Sequence, residues 1–428
     1  MPTRDEYRGL LKDASDRIIK AQKAVRVLAS IAWPEAVKKR FISSGGRELP
    51  DHNYAPLRFD PQKKKEEFSV IMRTLDPHDD LMRILFDTCQ QYIRVIEMLE
   101  ARGTRGFYEI SRELYGSPSN NFIDEKITNL QLARHLDDIL EFETDAKLGH
   151  PERNTITAER AAMILKERFR RSFPGERIKV VISRNIVSDA AAGAKKLKLR
   201  KGRLFNRRML QHLVHHEGYI HIGTTLNGEK QPILKFLSKA TPRSVKHNEG
   251  LAIFEEWVSK GLTLSRLHKL KDRIIGIHMA EEGADFVDLY NHFRATGRYD
   301  EDEAFEVCGR VFRGGDVRGR YPFTKDSGYL EYFLRVYNFI SVALKLNVFH
   351  YIDFLFAGKV TIEDLPVLYR HFQSGEVSYP LYLPAWAEDK RWLASHMSIS
   401  SFLSLINLKK VEQYYEEHFR AHAIRAKE

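Results

Sequence analysis

The chain has 428 residues, 43% of them hydrophobic and 30% charged, which is enough for two or three domains with a sizeable core. No run reaches the roughly 18 apolar residues that a membrane-spanning helix needs, and the charged N-terminal residues are not expected to form a secretory signal. The two cysteines exclude a disulfide scaffold and favour the cytoplasm. The net charge of +11 favours acidic partners, but no motif of a nucleic-acid-binding module is present.

The first part of the chain is predicted to be helical. Apolar residues recur at helical spacing over 5–32, where Trp33-Pro34 ends the pattern, and more strongly over 78–102. Helical spacing returns over 122–147, and Gly149-His150-Pro151 is interpreted as a domain boundary. These patterns predict a helical N-terminal domain over residues 1–150.

The middle of the chain mixes strands with helices. Asn206 is placed to cap a helix that carries several histidines, and Gly223 is expected to end that helix. The strand at 196–200 is expected at an edge, where its lysines would either block aggregation or attract acidic residues of a pairing substrate. The predicted elements are helices over 157–171, 207–222 and about 247–260, and strands over 178–183 and 196–200.

The last third returns to helical patterns, with helices predicted over 265–296 and 328–349 and a helix start at Thr361. The predicted fold class is α+β and mostly helical. A zinc-metallopeptidase core with a small β-sheet is expected over 151–350, followed by a helical extension over 351–428 that packs on the core.

The most informative motif is His216-Glu217-Gly218-Tyr219-Ile220-His221, which is followed 28 positions later by Glu249. Two imidazoles and one carboxylate form a catalytic zinc site with an open fourth position, and Glu217 would handle the proton. The histidines are five residues apart, so an ideal helix would place their rings about 140° apart. A π-bulge would bring the rings together, and the spacing therefore predicts a wide turn at 217–221.

Spacing alone leaves other interpretations open. His212 and His216 are four residues apart and would share a helix face without distortion. The histidines could also mark nothing more than a basic, partly exposed helix, and Glu249 could be an ordinary acid near a helix start. If the site exists, Asn248 and Glu256 are candidates to hydrogen-bond its ligands.

His216-Glu217-x-x-x-His221 followed by Asn248-Glu249-Gly250-Leu251-Ala252 resembles the QEGLA-motif family, whose bacterial members are labelled flavohemoglobin expression-modulating proteins. Its animal members are similar to the microtubule-associated tyrosine carboxypeptidases. The resemblance implies zinc on His216, His221 and Glu249, rather than on His212, with Glu217 catalytic. Asn248 stands where the family usually has Gln. Further similar segments are Trp33-Pro34, Gly103-Thr104, Leu114-Tyr115-Gly116-x-Pro118, Val311-Phe312-Arg313-Gly314-Gly315 and Phe323-Thr324-Lys325-Asp326.

The function that this resemblance and the motif imply is a zinc-dependent carboxypeptidase acting on a peptide or protein C-terminus. Such an enzyme needs a cation for the terminal carboxylate, and Arg313 and Lys325 are candidates. Each could equally form an ordinary salt bridge, to Asp316 or Asp326. Tyr329 could donate a hydrogen bond to substrate, or be a core tyrosine.

Two other functions remain open on sequence grounds. A catalytically weak regulatory or binding protein would keep the metal site without turnover, although an intact Glu217 argues against this. A non-peptide amide hydrolase would use the same zinc chemistry on another leaving group. Nucleic-acid binding depends only on the net charge.

Overall fold

The computed structural model describes residues 3–123, 126–140, 152–184, 186 and 188–403. The predicted boundary at 149–151 and part of the predicted helix 122–147 fall outside them. The first helices are α1 (Arg4–Gln22), α2 (Val27–Ser30), α3 (Glu35–Ser43), α4 (Pro61–Met72), α5 (Asp80–Glu100), α6 (Arg105–Tyr115), α7 (Asn129–Ile139) and α8 (Ala158–Ser172). The strands are β1 (Ile156–Thr157), β2 (Lys179–Ser183), β3 (Ala190–Gly193), β4 (Lys196–Arg200) and β5 (Leu204–Phe205).

The helices after the sheet complete an α+β fold that is mostly helical, as predicted. None of the described helices is both long and apolar enough to cross a membrane. They are α9 (Arg207–His212), a π-helix (Leu213–Gly223), α10 (Thr224–Glu229), α11 (Pro242–Val258), α12 (Leu264–Glu281), α13 (Phe286–Ala295), α14 (Glu301–Phe312), α15 (Tyr329–Lys345), α16 (His350–Phe354), α17 (Leu365–Gln373), α18 (Ala385–Glu388) and α19 (Lys390–Leu403). Short 3₁₀ helices lie at Lys235–Ser238, Thr324–Gly328 and Ile362–Asp364.

Several predicted helix ends are wrong. The helix predicted over 5–32 stops at Gln22, because Arg26 is extended, and no Gly or Pro in the sequence marks that break. The helix predicted over 265–296 divides at Gly283, whose φ of +109° ends α12 with a residue that lacks a Cβ. The helix that Gly223 was expected to end continues through α10 instead. Pro242 begins α11 rather than lying in a loop, since proline is favoured at the first helical position.

The three-stranded sheet has the order β2-β4-β3. β2 runs parallel to β4, with Lys179 beside Lys196, and β3 runs antiparallel to β4. β4 is therefore the central strand, and the expectation that it lies at an edge is wrong because both of its sides are paired. The two edge strands are β2 and β3. Leu197 and Leu199 of β4 are fully buried against α8, so the lysines of β4 point to the opposite face.

The largest hydrophobic cluster joins distant parts of the sequence. It includes Leu11 of α1, Leu85 of α5, Phe254 of α11, Ile340 of α15 and Met397 of α19. The N-terminal helices and the last helices thus pack on the same helix, α11, that carries Glu249. The division into three domains stays a prediction.

Gly250 allows α11 and α15 to approach closely. A Cβ atom at Gly250 would lie 2.3 Å from the backbone oxygen of Tyr332 on α15. This contact involves backbone rather than a movable side chain, so a larger residue would push the helices apart.

We expect Gly250→Ala to lower the free energy of unfolding by about 1–3 kcal/mol, since overpacking forces backbone shifts. Gly309→Ala is the matched control, because Gly309 lies inside α14 with no neighbouring atom within 4 Å of an added Cβ. It should stabilise the protein by about 0.5–1 kcal/mol through helix propensity. Urea unfolding measures both changes, and equal effects at the two sites would contradict this account of Gly250.

Candidate metal centre

Both histidines of the motif lie on the π-helix between α9 and α10. In a π-helix each N–H group bonds to the carbonyl five residues earlier, so residues five apart lie one above the other. The ring centroids of His216 and His221 are 4.8 Å apart, and their Nε2 atoms are 3.1 Å apart. The wide turn predicted at 217–221 is confirmed, within a π-helix of 11 residues.

Gly218 contributes to this geometry through close packing. A Cβ atom there would lie 2.7 Å from Cε1 of Phe169 on α8. Gly218 does not have a positive φ, so an unusual backbone conformation does not explain the glycine. The missing side chain lets α8 support the π-helix directly behind the histidine rings.

Glu249 on α11 completes a group of three ligand atoms. Its Oε2 atom lies 4.0 Å from Nε2 of His216 and 4.0 Å from Nε2 of His221. Zinc binds histidine nitrogen and carboxylate oxygen at about 2.0–2.2 Å, so tetrahedral ligands are separated by about 3.3–3.5 Å. The three atoms form a triangle close to that size and can hold a metal ion.

Hydrogen bonds from α11 orient both rings. Nδ1 of His216 donates to Oε1 of Glu256 at 2.6 Å, and Nε of Arg266 donates to Oε2 of Glu256 at 3.1 Å. Nδ1 of His221 donates to Oδ1 of Asn248 at 2.9 Å. The hydrogen bonds expected from Asn248 and Glu256 are thus both present. Because each Nδ1 atom acts as a hydrogen-bond donor, the Nε2 atom of each ring is free to offer a lone pair beside the Glu249 carboxylate. Two imidazole nitrogens and one carboxylate oxygen are a set of ligand atoms that zinc prefers.

Lys359 fixes the orientation of the Asn248 amide, and nothing in the sequence indicated it. Its Nζ donates to Oδ1 of Asn248 at 2.8 Å and to the backbone oxygen of His221 at 3.0 Å. Because Oδ1 already accepts from the ammonium group, it must also be the acceptor for His221. Burial lowers the pKa of Lys359 to about 7, although the Glu249 and Glu217 carboxylates oppose this.

The charges of the site suit cation binding. Burial lowers the pKa of His221 to about 3, which keeps its ring neutral. Burial also disfavours the charged form of His216, but the Glu256 carboxylate outweighs this and raises its pKa. Glu249 is desolvated, yet His221 and Lys325 hold its pKa at about 2, so it is ionised. A metal ion competes with a proton for the His216 ring, so metal affinity should rise with pH.

The competing group is His212, His216 and Glu256. Nδ1 of His212 lies 3.7 Å from Oε2 of Glu256. Glu256 already accepts hydrogen bonds from His216 and Arg266, so a metal ion held by this group would compete with these bonds for the carboxylate oxygens. The chemistry of the donors therefore favours His216, His221 and Glu249.

Glu217 lies beside the edge strand β3. Its Oε2 atom accepts a hydrogen bond from the backbone N–H of Ala192 on β3 at 3.1 Å. Burial raises the pKa of Glu217 above its ordinary value, with a further contribution from the Glu249 carboxylate. The residue next to the candidate ligand His216 is thus a desolvated carboxylate, which is suited to accepting and returning a proton.

A cluster of cations surrounds Asp326 beside this site. Arg310 donates to Asp326 at 2.6 Å, and Nζ of Lys325 donates to the hydroxyl of Tyr329 at 2.7 Å. The Lys325 charge helps hold the pKa of Glu249 low, and the Glu249 charge in turn adds to the effect of burial in raising the pKa of Tyr329, so Lys325 and Tyr329 lie close to this candidate metal ligand. Of the two acids considered as partners of Arg313, Asp326 is bound by Arg310, and Asp316 is bound by Arg318 at 3.0 Å.

Arg313 makes no ion pair with any residue that the structure describes, and its Nε atom is buried without a hydrogen-bond partner. Burial, together with repulsion from Arg310, lowers the pKa of Arg313 to about 10. A desolvated guanidinium without an acidic partner is costly unless an anion binds to it.

The residues of the candidate site all lie within a segment that matches a known protein family. The family model described as microtubule-associated tyrosine carboxypeptidase matches residues 39–405, which include every residue of the site discussed above. None of the curated proteins compared with the chain is similar enough to count as a match.

The two candidate metal groups differ in one histidine each, which makes them separable. We expect His221→Ala to abolish stoichiometric zinc binding and His212→Ala to leave it within about threefold of wild type, because only His221 lies in the favoured group. Isothermal titration of the metal-stripped protein measures both affinities. The reverse pattern would assign the metal to His212, His216 and Glu256.

Proposed function

Because the chain belongs to the microtubule-associated tyrosine carboxypeptidase family, we propose that it is a zinc-dependent peptidase that removes a residue from the C-terminus of a peptide or protein. The observation that supports this most directly is the convergence of His216, His221 and Glu249 beside the buried carboxylate of Glu217. The proposed compartment is the cytoplasm, since Cys89 and Cys308 are buried free thiols.

His216, His221 and Glu249 would hold the zinc ion, which supplies Lewis acidity toward the scissile carbonyl and acidifies a water molecule. Asn248 and Glu256 keep the two rings in the tautomer that offers Nε2. These residues prepare the site before substrate arrives, which reduces the reorganisation needed in the transition state.

Glu217 is the proposed general base and acid. The Ala192 N–H group holds Oε2, which leaves Oε1 to accept the proton of the attacking water. The carboxyl group then donates that proton to the nitrogen of the leaving residue. The raised pKa of Glu217 matches this double role, because the protonated form must persist long enough to reach the leaving group.

Arg313, Lys325 and Tyr329 form the proposed subsite for the terminal carboxylate. Arg313 supplies a guanidinium that forms no ion pair with a described acid and can bind a carboxylate through two parallel hydrogen bonds. Lys325 and Tyr329 are hydrogen-bonded to each other and lie near Glu249. They would therefore extend the carboxylate subsite from Arg313 toward the proposed metal ligands. A substrate bound in this way would present its last peptide bond to Glu217.

The polypeptide before that bond is proposed to lie along β3. This strand is one of the two edge strands of the sheet, and it is the one whose Ala192 N–H group reaches Glu217. An extended substrate can pair with such an edge and keep its scissile bond beside the catalytic carboxylate. β3 thus takes the role that the sequence suggested for β4.

We expect Glu217→Gln to lower kcat by about 10²–10⁴-fold, because the amide cannot accept the proton. Zinc affinity should change little, since the ligands are untouched. Peptide cleavage followed by mass spectrometry, with metal analysis as the control, tests this. Cleavage that survives in the variant would contradict the role of Glu217 as the general base. Wild-type protein that binds zinc but cleaves no free C-terminus would favour a regulatory protein. Equal cleavage of amidated peptides would rule out a carboxypeptidase.

Arg313→Met should raise KM for peptides with a free C-terminus by about 10–100-fold, since a hydrogen bond to a charged group contributes about 1.5–3 kcal/mol. Arg318→Met is the matched control, because Arg318 is exposed and, among the described residues, forms an ion pair only with Asp316. Steady-state kinetics on one peptide measures both variants. Similar KM values for the two would show that Arg313 does not bind the terminal carboxylate.

A further inference from the structure

A tight turn follows Arg313 at the end of α14. Gly314 has a φ of +85°, which residues with a side chain rarely adopt, and a glycine is therefore favoured there. Gly315 donates its N–H group to the backbone oxygen of Phe312 at 3.0 Å, which closes the turn. The direction in which the Arg313 side chain leaves the backbone therefore depends on the contacts that hold this turn.

Both polar groups of the Gly314 backbone are bound by the N-terminal part of the chain. Its N–H group donates to the hydroxyl of Tyr54, and its backbone oxygen accepts from the N–H group of Gly103 at 2.9 Å. A Cβ atom at Gly314 would lie 2.2 Å from Cζ of Phe107, so the turn also lies directly against α6. Three contacts from residues distant in the sequence thus fix one residue of the turn.

The Tyr54 side chain is itself held in place. Its hydroxyl accepts a hydrogen bond from Nε1 of Trp33 at 3.1 Å, and the Arg102 guanidinium lies 5.4 Å from the centre of its ring. Arg102 also donates to the backbone oxygens of Ser30 at 2.7 Å and Ala55 at 3.1 Å, and so ties together the two segments that carry Trp33 and Tyr54. Trp33, Tyr54 and Arg102 are here called the Tyr54 clamp.

Arg313 depends on this support because its own side chain has little to hold it. Among the residues that the structure describes, Arg313 forms no ion pair, and its Nε atom is buried without a hydrogen-bond partner. A guanidinium of this kind points in a defined direction only if the backbone that carries it is fixed, and Tyr54 binds the residue next to it. A free carboxylate can then bind without first ordering the turn, which makes binding tighter.

A purely structural role for Tyr54 would be to join the N-terminal helices to the later ones. The largest hydrophobic cluster already does this, because it unites α1 and α5 with α11 and α15. The Tyr54 hydroxyl, by contrast, makes a directed hydrogen bond to a single backbone group beside Arg313. The position of that bond favours a role in setting the geometry of the turn.

We propose that Tyr54 is a positioning residue of the carboxylate subsite, which acts through Gly314 and sets the direction of the Arg313 guanidinium. This inference rests on the proposed function. It adds a part of the chain far from the metal ligands in sequence, the segment between α3 and α4, to the recognition of the substrate.

The test uses Tyr54→Phe, which removes the hydroxyl and keeps the ring beside Arg102. Tyr7→Phe is the matched control, because it also removes one hydroxyl from the N-terminal region, where that group is hydrogen-bonded to Asp79 at 3.0 Å rather than to the turn. Each change is made in the wild type and in Arg313→Met. Steady-state kinetics on one peptide with a free C-terminus gives kcat and KM for all of these proteins.

We expect Tyr54→Phe to raise KM by about 3–10-fold in the wild type, which is the effect of one neutral hydrogen bond, and to leave kcat within about twofold. In Arg313→Met the same change should alter KM by less than about twofold, because the guanidinium that Tyr54 directs is absent. Tyr7→Phe should have no effect in either background. The proposal is overturned if Tyr54→Phe leaves KM unchanged, lowers kcat alone, or raises KM equally in both backgrounds, as general damage to the fold would.

Binding is measured separately, so that the two proposals fail in different ways. In Glu217→Gln protein, the anisotropy of a labelled peptide with a free C-terminus and of its amidated form gives the preference for the terminal carboxylate, which Tyr54→Phe should lower by about 3–10-fold. If the wild type cleaves nothing but this preference exists and falls in Tyr54→Phe, the carboxypeptidase assignment is wrong and the role of Tyr54 in carboxylate binding stands. If peptides are cleaved and Tyr54→Phe changes neither KM nor the preference, the role of Tyr54 is wrong and the carboxypeptidase assignment stands.

Discussion

The pairing of α11 with the π-helix is the constraint on which the rest of the site depends. α11 supplies Glu249 as a candidate ligand, Asn248 to hold His221 and Glu256 to hold His216. All three reach the π-helix only because the two helices pack along their length. Gly250 sets the distance of α11 from α15 on its other side, so the position of the candidate ligand is determined by backbone contact rather than by a flexible side chain.

The same arrangement concentrates buried charge, which must be balanced within the site. Glu256 is fully buried and is held in its ionised form largely by Arg266, despite a strong desolvation cost. Asp326 plays the corresponding role for Arg310, and Arg273 lies 3.8 Å from it. Arg310, Arg273, Arg313 and Lys325 lie in or beside the proposed carboxylate subsite, and Asp326 is the acid that pairs with this group, so positive charge is in excess there. Such an excess is expensive in a folded protein, and it is typical of a place where a ligand supplies the missing charge.

The sequence contained enough information to predict the core of the site but not its surroundings. The five-residue spacing of His216 and His221 demanded a widened helix, and the structure has one. Glu249 could be selected because its motif resembles a known family. Lys359 and Arg266 could not be selected, because Lys359 is 111 positions from Asn248 and neither residue lies in a recognisable motif. β3 escaped prediction because Ala190-Ala191-Ala192-Gly193 lacks β-branched residues, so β4 was wrongly expected to lie at an edge.

The π-helix relates this chain to a much commoner sequence pattern. If Gly218 is left out, the remaining residues read His216-Glu217-Tyr219-Ile220-His221, which is the H-E-x-x-H of an ordinary α-helix. A π-helix is how a helix absorbs one inserted residue while the turns on both sides keep their register, and here α9 and α10 continue undisturbed. Pattern searches built on the shorter motif pass over this chain, although the two imidazoles end up as neighbours in both cases.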